Sequence, residues 1–335
     1  MLFSIIIPTY NAKATINRCL DSVYVLPVPE EVFEVIIIDD CSTDETVEAI
    51  KHYEKEHHNL VLLIQTHNHR QGAARNRGIE IAQGEYIVFL DSDDEIEPGV
   101  LSAVAVSRKY DLDMAVMHYR RLSSDGNLDK EYILPYAPDA VFSGVTLQTE
   151  YPFWCSTPWA YLYRKAFLNR VNYPFAEDVL FEDSDFVYVH LYFAARMAYC
   201  NEVGYRMWSN PLSTTHTTSF RHVCDYAVLG TRMLSFYQQI EDKCSVYARS
   251  VLEGGSYNIM RSCKNLFKLK SISDVHSFYE RFDLLANRRA MLSYSEPTYC
   301  WTRWTRFCMK HKQGAILIVG GILSLSFVSF LRIKG

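Results

Sequence analysis

Four short apolar runs punctuate the first part of the chain. They are rich in Ile, Val, Leu and Phe and lack the alternation of polar and apolar residues that marks a half-exposed strand; they occupy residues 3–7, 35–38, 60–64 and 86–90. Continuous apolar runs of this length are typical of parallel strands buried on both faces. The pattern therefore predicts four strands, of which those at residues 3–7, 35–38 and 86–90 are expected to be buried.

The segments between these runs have a helical pattern. Residues 14–25 and 43–54 carry apolar positions at helical spacing, and residues 73–82 are predicted as a third helix. Ser42 or Thr43 is the expected N-cap of the second helix, because a side-chain oxygen there can accept a free backbone N–H. Strands that alternate with helices at this spacing predict right-handed crossovers and a doubly wound, mostly parallel α/β sheet.

Three carboxylates are clustered at the end of the fourth predicted strand, in Asp91-Ser92-Asp93-Asp94. Open α/β sheets bind ligands at the carboxyl ends of their strands. Because unpaired carboxylates repel one another, we expect a cation there, and hard oxygen ligands with no cysteine nearby suit Mg²⁺ or Mn²⁺. An isolated Asp-x-Asp is more often a solvated acidic turn, so the choice depends on the surrounding motifs.

Those motifs resemble the family 2 glycosyltransferases, which are inverting, nucleotide-sugar-dependent enzymes of GT-A fold. The resemblance is carried by Pro8-Thr9-Tyr10-Asn11 and by residues 38–46, 72–78, 84–94, 159–164 and 181–186. Each motif is weak alone, but their order and spacing are specific. The resemblance implies a GT-A catalytic domain over residues 1–220. Beyond it the motifs stop, and helical patterns at residues 222–241, 247–269 and 275–290 predict a helical appendage over residues 221–300.

The resemblance implies a donor-binding set that takes a UDP-sugar: Pro8, Tyr10, Asp40, Arg75, Asp91 and Ser92. Tyr10 offers an aromatic face on which a nucleobase can stack, which contributes roughly 1–3 kcal/mol per base. Asp40 accepts a hydrogen bond from the uracil N–H, while its neighbour Asp39 braces the turn or contacts ribose. The alternatives are a core tyrosine at a strand end and two acids that only cap the following helix.

The remaining donor-site roles concern two arginines and two acids. Arg75 and Arg77 lie two residues apart and point to different faces of a helix, so both cannot serve one site equally. The resemblance directs Arg75 to the nucleotide site, where it pairs with a carboxylate or the diphosphate, and leaves Arg77 solvated or structural. It assigns Asp91 to ribose or metal contact, and Asp93 to the Mn²⁺ or Mg²⁺ that offsets the charge of the departing diphosphate.

An inverting displacement also needs a base to take the proton of the acceptor hydroxyl. Five acids occur together: Glu177, Asp178, Glu182, Asp183 and Asp185. Composition alone does not choose among them, and an acidic helix start that complements the helix dipole is the alternative. The resemblance selects Asp183.

Two further segments correspond to parts of the family pattern. Trp159 occupies the position of a wall of the sugar or acceptor pocket, with a buried core tryptophan as the equal alternative. Residues 205–208 and 213–216 resemble a segment that closes over the diphosphate, in which His216 is either a metal ligand or an ordinary loop histidine.

These residues predict a transferase that moves a sugar from a UDP-sugar to a hydroxyl of a glycan or lipid-linked acceptor, in bacterial cell-surface polysaccharide biosynthesis. A nucleotidyltransferase acting on sugar phosphates is one alternative, but it is expected to carry a Gly-rich basic loop after the first strand, where Pro8-Thr9-Tyr10-Asn11 stands. A non-catalytic nucleotide-sugar-binding protein is the other. It predicts loss of the metal acids or the base, and both are intact.

Composition bears on where the protein works. The 335 residues are 49% hydrophobic and 22% charged, which provides ample core. No secretory signal is recognised, since the first apolar run lacks a basic start and meets Pro8. Nine cysteines without a Cys-x-x-Cys pair suit a reducing cytosol and predict neither zinc nor redox chemistry. No nucleic-acid partner is expected, and an oligomer is left open.

The last segment, residues 301–335, differs in charge and texture. It carries six Lys or Arg and no Asp or Glu in a chain whose net charge is −5, and residues 313–331 are uncharged. A helix of that length spans roughly 28 Å, close to one hydrocarbon thickness. Trp301, Trp304 and Phe307 among basic residues suit anionic headgroups. We therefore expect attachment to the cytoplasmic face of the inner membrane, peripherally or by a single C-terminal span; a buried packing or oligomer helix is the alternative.

Overall fold

The computed structural model describes residues 1–135, 137, 140–151, 156–210, 219–243, 245–269, 273–274 and 277–278. The chain forms two compact units, Met1–Ser213 and Thr214–Gly335. The predictions for His216, for residues 301–335 and for most of the helix at residues 275–290 lie outside the described residues. The predicted boundaries at residues 220 and 300 stay predictions.

The first unit is built on one sheet. Its strands are β1 (Phe3–Thr9), β2 (Phe33–Asp39), β3 (Leu60–Ile64), β4 (Tyr86–Phe89), β5 (Glu95–Ile96), β6 (Met114–Leu122), β7 (Leu128–Tyr132), β8 (Val141–Phe142), β9 (Tyr161–Arg164) and β10 (Met197–Trp208). The strand order is β3-β2-β1-β4-β9-β6-β10-β5, with β7 on β6 and β8 on β10.

The helices of this unit are α1 (Ile16–Tyr24), α2 (Thr46–Glu56), α3 (Arg70–Ile81), α4 (Gly99–Tyr110), α5 (Gly144–Glu150), α6 (Lys165–Val171) and α7 (Asp183–Phe193). The second unit contains α8 (Phe220–Gln239) and α9 (Val246–Leu269). These two pack closely as a pair, since a Cβ at Gly230 would lie 2.8 Å from the carbonyl oxygen of Gly255. Within the described residues, no helix is both long and apolar enough to cross a bilayer.

The predicted doubly wound core is confirmed. Strand β1 pairs in parallel with β2 and β4, and β2 pairs in parallel with β3. Every residue of β1, β2 and β4 is buried, as their continuous apolar runs require. Strand β9, which has no predicted counterpart, runs antiparallel to β4 and joins this parallel half to the rest of the sheet.

The predicted cap of the second helix is wrong. Helix α2 begins at Thr46, and Asp44 Oδ1 accepts the backbone N–H of Thr46 at 3.1 Å, so the residues before it form a turn. Ser42 is instead bonded to Asp39, whose Oδ2 accepts the Ser42 backbone N–H at 2.9 Å. Helix α3 begins at Arg70, three residues before the predicted start, because a carboxylate distant in sequence binds its first N–H groups.

This topology sets the position of the functional residues. Strands β1, β2 and β4 are parallel neighbours, so their carboxyl ends lie at one edge of the sheet. Tyr10 and Asp40 follow β1 and β2 directly, and Asp91 is the second residue after β4. The crossover helices cover the faces of the sheet and leave that edge open.

Candidate active site

The aromatic residue after β1 is exposed. Tyr10 is 47% exposed, whereas Pro8 lies inside β1 opposite Ile38. The next residue, Asn11, has a left-handed backbone (φ 48°), and its Oδ1 accepts the backbone N–H of Thr43 at 2.8 Å. The loop that presents the Tyr10 ring is therefore fixed to the turn after β2, and the ring can receive a planar ligand.

Asp40 organises the start of α3. Its two carboxylate oxygens accept the backbone N–H groups of His69 and Arg70, each at 2.7 Å, and Gln65 Nε2 donates at 3.2 Å. Burial raises the pKa of Asp40, and the two backbone hydrogen bonds oppose that shift. Asp39 braces its own turn, as expected, since its carboxylate accepts both the N–H and the hydroxyl of Ser42.

The three acids after β4 have different surroundings. Asp91 Oδ1 accepts a hydrogen bond from Arg75 Nη2 at 2.8 Å. Asp93 Oδ2 accepts one from Asn210 Nδ2 at 3.1 Å. Asp94 is buried, and burial, followed by repulsion from Asp93 and Asp91, raises its pKa well above the usual range. Ser92 is half-buried between them.

The surroundings of Asp93 bear on the predicted metal site. Burial and the nearby charge of Asp91 raise the pKa of Asp93, as expected where carboxylates lie close together. Among the described residues, no group of three or more His, Cys, Asp or Glu side chains is arranged to hold a metal ion. Mg²⁺ commonly binds through one or two carboxylates, with substrate phosphates and water as its other ligands. The Asp93 carboxylate fits that ligand set.

Arg75 lies behind this turn. It is 2% exposed, its Nη1 donates to Glu182 Oε1, and its Nη2 contacts Asp91. Burial acts to lower the pKa of Arg75, but the charges of Asp91 and Glu182 outweigh burial and raise it. Arg77, by contrast, is exposed and pairs with Glu80 on the same helix, which confirms the expectation that it is a surface charge.

Four of the five acids in the segment before and within α7 are bonded to other side chains. Asn76 Nδ2 donates to Glu177 at 2.8 Å, and Asp178 pairs with His69 Nδ1 at 3.3 Å; both acids are exposed. Glu182 is bound to Arg75. Asp185 is fully buried and accepts a hydrogen bond from the Tyr173 hydroxyl at 2.8 Å.

Asp183 is the remaining acid of this group. It is the first residue of α7 and is only partly buried. Burial, followed by repulsion from Glu182, raises the pKa of Asp183 to about 7, while Arg75 opposes the shift. A carboxylate with a pKa near neutrality can accept a proton efficiently at cytosolic pH.

Trp159 is a buried support. It is 5% exposed and stacks on Tyr205 with ring centroids 4.2 Å apart, while its edge meets Tyr119 at 4.8 Å. Of the two interpretations offered by the sequence, the buried tryptophan is the one observed. Its stacking partner Tyr205 reaches the acidic turn, so Trp159 supports that turn from inside the fold.

Two residues have contacts here that the sequence does not indicate: Tyr205, which is expected in a segment over the diphosphate and lies in β10, and Arg18. The Tyr205 hydroxyl donates to Asp94 Oδ2 at 2.7 Å and accepts the backbone N–H of Asp91 at 3.3 Å. Arg18 Nη2 donates to the carbonyl oxygen of Asp93 at 2.6 Å, and its guanidinium lies 4.0 Å above the Trp208 ring. Arg18 stands on the polar face of α1, where a surface charge is the ordinary expectation.

Comparison with known proteins identifies relatives of this chain. The model of the family described as glycosyl transferase family 2 matches residues 4–173, about half of the chain. The poly(ribitol-phosphate) β-glucosyltransferase of Bacillus spizizenii is 45% identical over 97 residues, which cover 29% of this chain and 15% of that protein. The poly(ribitol-phosphate) β-N-acetylglucosaminyltransferase TarS of Staphylococcus aureus is 31% identical over 188 residues, covering 54% of this chain and 32% of TarS. The matches thus span about a third or less of these relatives.

A solved structure shares the fold. The crystal structure of S. aureus TarS residues 1–349 in complex with UDP-GlcNAc superposes with a TM-score of 0.66 at 22% identity, covering 92% of this chain and 89% of that one. At this identity the likeness establishes the GT-A architecture.

Proposed function

The chain belongs to glycosyl transferase family 2, and on that premise we propose that it transfers a sugar from a UDP-sugar to a hydroxyl of a bacterial cell-surface polymer, with inversion at the anomeric carbon. The observation that carries the proposal is the placement of Asp183: Arg75 binds both its neighbour Glu182 and Asp91, so the partly buried Asp183 carboxylate begins α7 beside the acids that follow β4. Repulsion from Asp91 contributes to the raised pKa of Asp183.

The donor occupies the edge formed by the ends of β1, β2 and β4. The uracil ring stacks on the exposed Tyr10 ring beside Pro8, and Asp40 accepts its N–H. Each oxygen of Asp40 already accepts a backbone N–H, but a carboxylate has about four lone-pair sites, so capacity remains. The ribose and diphosphate lie against Asp91 and Ser92. Arg75 contributes through Asp91, which it holds directly.

Asp93 would hold the divalent cation. When bound, Mn²⁺ or Mg²⁺ stabilises the negative charge that the nucleoside diphosphate gains as the sugar leaves. The crowding of Asp91, Asp93 and Asp94 supports this role, because each carboxylate raises the cost of charging the others. Asn210 and Arg18 orient Asp93 through its side chain and its backbone carbonyl.

Asp183 is the base. It accepts the proton of the acceptor hydroxyl as the oxygen attacks the anomeric carbon, on the face opposite the departing UDP. The attack forms the new glycosidic bond and breaks the bond to the β-phosphate, so the configuration inverts. The other acids of the segment are less suited, since Glu182 is bound to Arg75 and Asp185 is bonded to Tyr173.

The names of the relatives suggest the acceptor class. Two of them are poly(ribitol-phosphate) transferases that add glucose or N-acetylglucosamine. We therefore propose a polyol-phosphate or related cell-wall polymer as acceptor, and UDP-glucose or UDP-N-acetylglucosamine as the first donors to test.

We also propose that residues 301–335 attach the protein to the cytoplasmic face of the membrane. The support is compositional: six basic residues, no acid, and aromatic residues beside an uncharged stretch. The full-length chain is expected to bind vesicles rich in phosphatidylglycerol, and to stay partly bound in high salt because screening removes only the electrostatic share. Failure to bind such vesicles at low salt contradicts the proposal.

A panel of UDP-sugars tests the function. Thermal unfolding with each donor, with and without Mn²⁺, identifies the sugar that stabilises the protein, because a ligand that binds only the native state raises its stability. That donor is then incubated with poly(ribitol phosphate) and other polymers. Metal-dependent stabilisation followed by sugar transfer supports the proposal. Stabilisation without transfer to any acceptor or to water favours a non-catalytic nucleotide-sugar-binding protein.

A further inference from the structure

One arginine joins three elements of the catalytic unit. Arg75 on α3 contacts Asp91, which follows β4, and Glu182, which immediately precedes α7. The guanidinium and the Glu182 carboxylate are each about 3% exposed, so water screens their attraction only weakly. Breaking such a pair would leave a buried charge uncompensated, which is costly. This cost keeps the three elements in one arrangement.

Glu182 and Asp183 are neighbours with different tasks. Glu182 directs its carboxylate to Arg75, with its residue 3% exposed, whereas Asp183 is only partly buried. The ion pairs of Arg75 within the described residues are with Asp91 and Glu182. Because Glu182 is the residue before the first turn of α7, its ion pair fixes the direction in which that turn starts.

We propose, on the basis of the proposed function, that Glu182 is a positioning residue: through Arg75 it ties the start of α7 to Asp91, and so holds Asp183 at the edge of the sheet where the donor binds. We call the three residues that these two ion pairs join, Glu182, Arg75 and Asp91, the bracket. The donor side and the base side of the site are then aligned by one buried chain of ion pairs.

The same arrangement sets the proton affinity of the base. The charged groups that act on Asp183 are Glu182 and Asp91, which repel its negative form, and Arg75, which stabilises it. Removal of the Glu182 charge alone leaves Arg75 and Asp91 in place. The pKa of Asp183 should then fall, in addition to any loss of alignment.

The first test is Glu182→Gln, with Glu177→Gln as the matched control. Glu177 is exposed and bonded to Asn76, so its substitution leaves the bracket intact. In Glu182→Gln we expect kcat to fall roughly ten- to hundred-fold, the range that follows a misplacement of about 1 Å. The donor KM should stay within about twofold, since the interaction serves the reacting geometry. In the pH profile of kcat, the rise on the acid side, which we call the acid limb, should move to lower pH.

A second variant, Arg75→Lys, keeps the positive charge but replaces the guanidinium fork by a single ammonium, which is poorly shaped to hold two carboxylates. A similar loss of kcat is expected, with UDP still raising the unfolding temperature. Equal kcat and an unmoved acid limb in Glu182→Gln and Glu177→Gln overturn the proposal. The proposal is also overturned if Glu182→Gln loses kcat and UDP binding to the same extent while the acid limb does not move.

A readout without turnover separates this inference from the proposed function. Aspartate is labelled with ¹³C at Cγ, and the Asp183 signal is identified because it is absent from the spectrum of Asp183→Asn. The midpoint of the pH titration of that signal is then measured by NMR. The midpoint should move to lower pH in Glu182→Gln and stay fixed in Glu177→Gln. An unmoved midpoint overturns the bracket whether or not transfer is observed, whereas a wild-type chain that transfers no sugar contradicts only the proposed function.

Discussion

The hydroxyl of Tyr205 lies 2.7 Å from Oδ2 of Asp94, and this hydrogen bond ties β10 to the acidic turn. The same hydroxyl accepts the backbone N–H of Asp91 at 3.3 Å. Asp94 Oδ1 accepts the backbone N–H of Trp208 at 2.7 Å, so both oxygens of this buried carboxylate are bound to one strand. Asp94 is thus an anchor that holds the turn, next to Asp93, the proposed metal ligand.

Tyr205→Phe should loosen this anchor. The variant leaves Asp94 with one hydrogen bond fewer in a buried site, which we expect to cost about 1–3 kcal/mol of unfolding free energy. The Mn²⁺ concentration for half-maximal activation should rise, because the turn is less rigidly held. Urea unfolding and metal titration measure the two effects. Tyr257→Phe, at an exposed tyrosine of α9, is the control; equal behaviour of the two variants contradicts the anchor.

Asp93→Asn should remove the metal dependence of donor binding. Asparagine preserves the shape of the side chain but supplies a weaker, neutral oxygen to a hard cation. We expect transfer to be abolished and the Mn²⁺-dependent part of the UDP-induced rise in unfolding temperature to disappear. Asp129→Asn, at an exposed acid paired with Arg121, should leave both unchanged. Full activity of the wild-type chain in excess chelator argues against the metal.

Asp183→Asn should separate binding from chemistry. The amide cannot accept the hydroxyl proton, so transfer should fall by roughly 10²–10⁴ while donor binding persists. Asp178→Asn is the matched control, because Asp178 is exposed and has a left-handed backbone (φ 57°) that asparagine tolerates. An Asp183→Asn variant within a few-fold of wild type assigns the base to another acid, with Glu182 or Asp185 the next to test.

The raised pKa of Asp183 also predicts how stability depends on pH. Between the ordinary pKa of 3.8 and the folded value of about 7, the folded state binds more protons at this site than the unfolded state does. The contribution of this group to stability is therefore present at low pH and is lost as pH rises through 7. Activity, which needs the carboxylate, should rise over the same interval. In denaturant unfolding, Asp183→Asn should gain stability relative to wild type at pH 8 and gain little at pH 4.

The order of strands and helices in the parallel half of the sheet could be predicted from the sequence because its signals are local. Runs such as residues 3–7 and 86–90 are buried on both faces and contain no polar residue except Ser4. The start of α3 could not be predicted, since Asp40, thirty residues before Arg70, supplies the oxygens that bind its first N–H groups. Strand β9 was missed because Tyr161–Arg164 is short and has no distinctive alternation.

In the candidate site, too, some residues could be predicted from the sequence and some contacts could not. Motif order led to Asp93 and Asp183, and the assignments of the individual site residues stay predictions. The contacts of Tyr205, Arg18 and Glu182 join residues about 75 to 114 positions apart, and nothing in the local sequence marks them. The role of Trp159 could not be chosen from the sequence, because an indole suits the wall of a sugar pocket and a protein core equally. Its stacking on Tyr205, with ring centroids 4.2 Å apart, places it in the core.

The central claim is that this chain transfers a sugar from a UDP-sugar with inversion at the anomeric carbon, with Asp183 as base. It is tested most directly by ¹H NMR of the product formed from the donor that the thermal screen identifies. With an α-linked UDP-sugar, the anomeric proton of the transferred residue should show the large coupling of a β-linkage, and the signal should be lost with Asp183→Asn and kept with Asp178→Asn. An α-linked product, or β-linked product formed at undiminished rate by Asp183→Asn, contradicts the account.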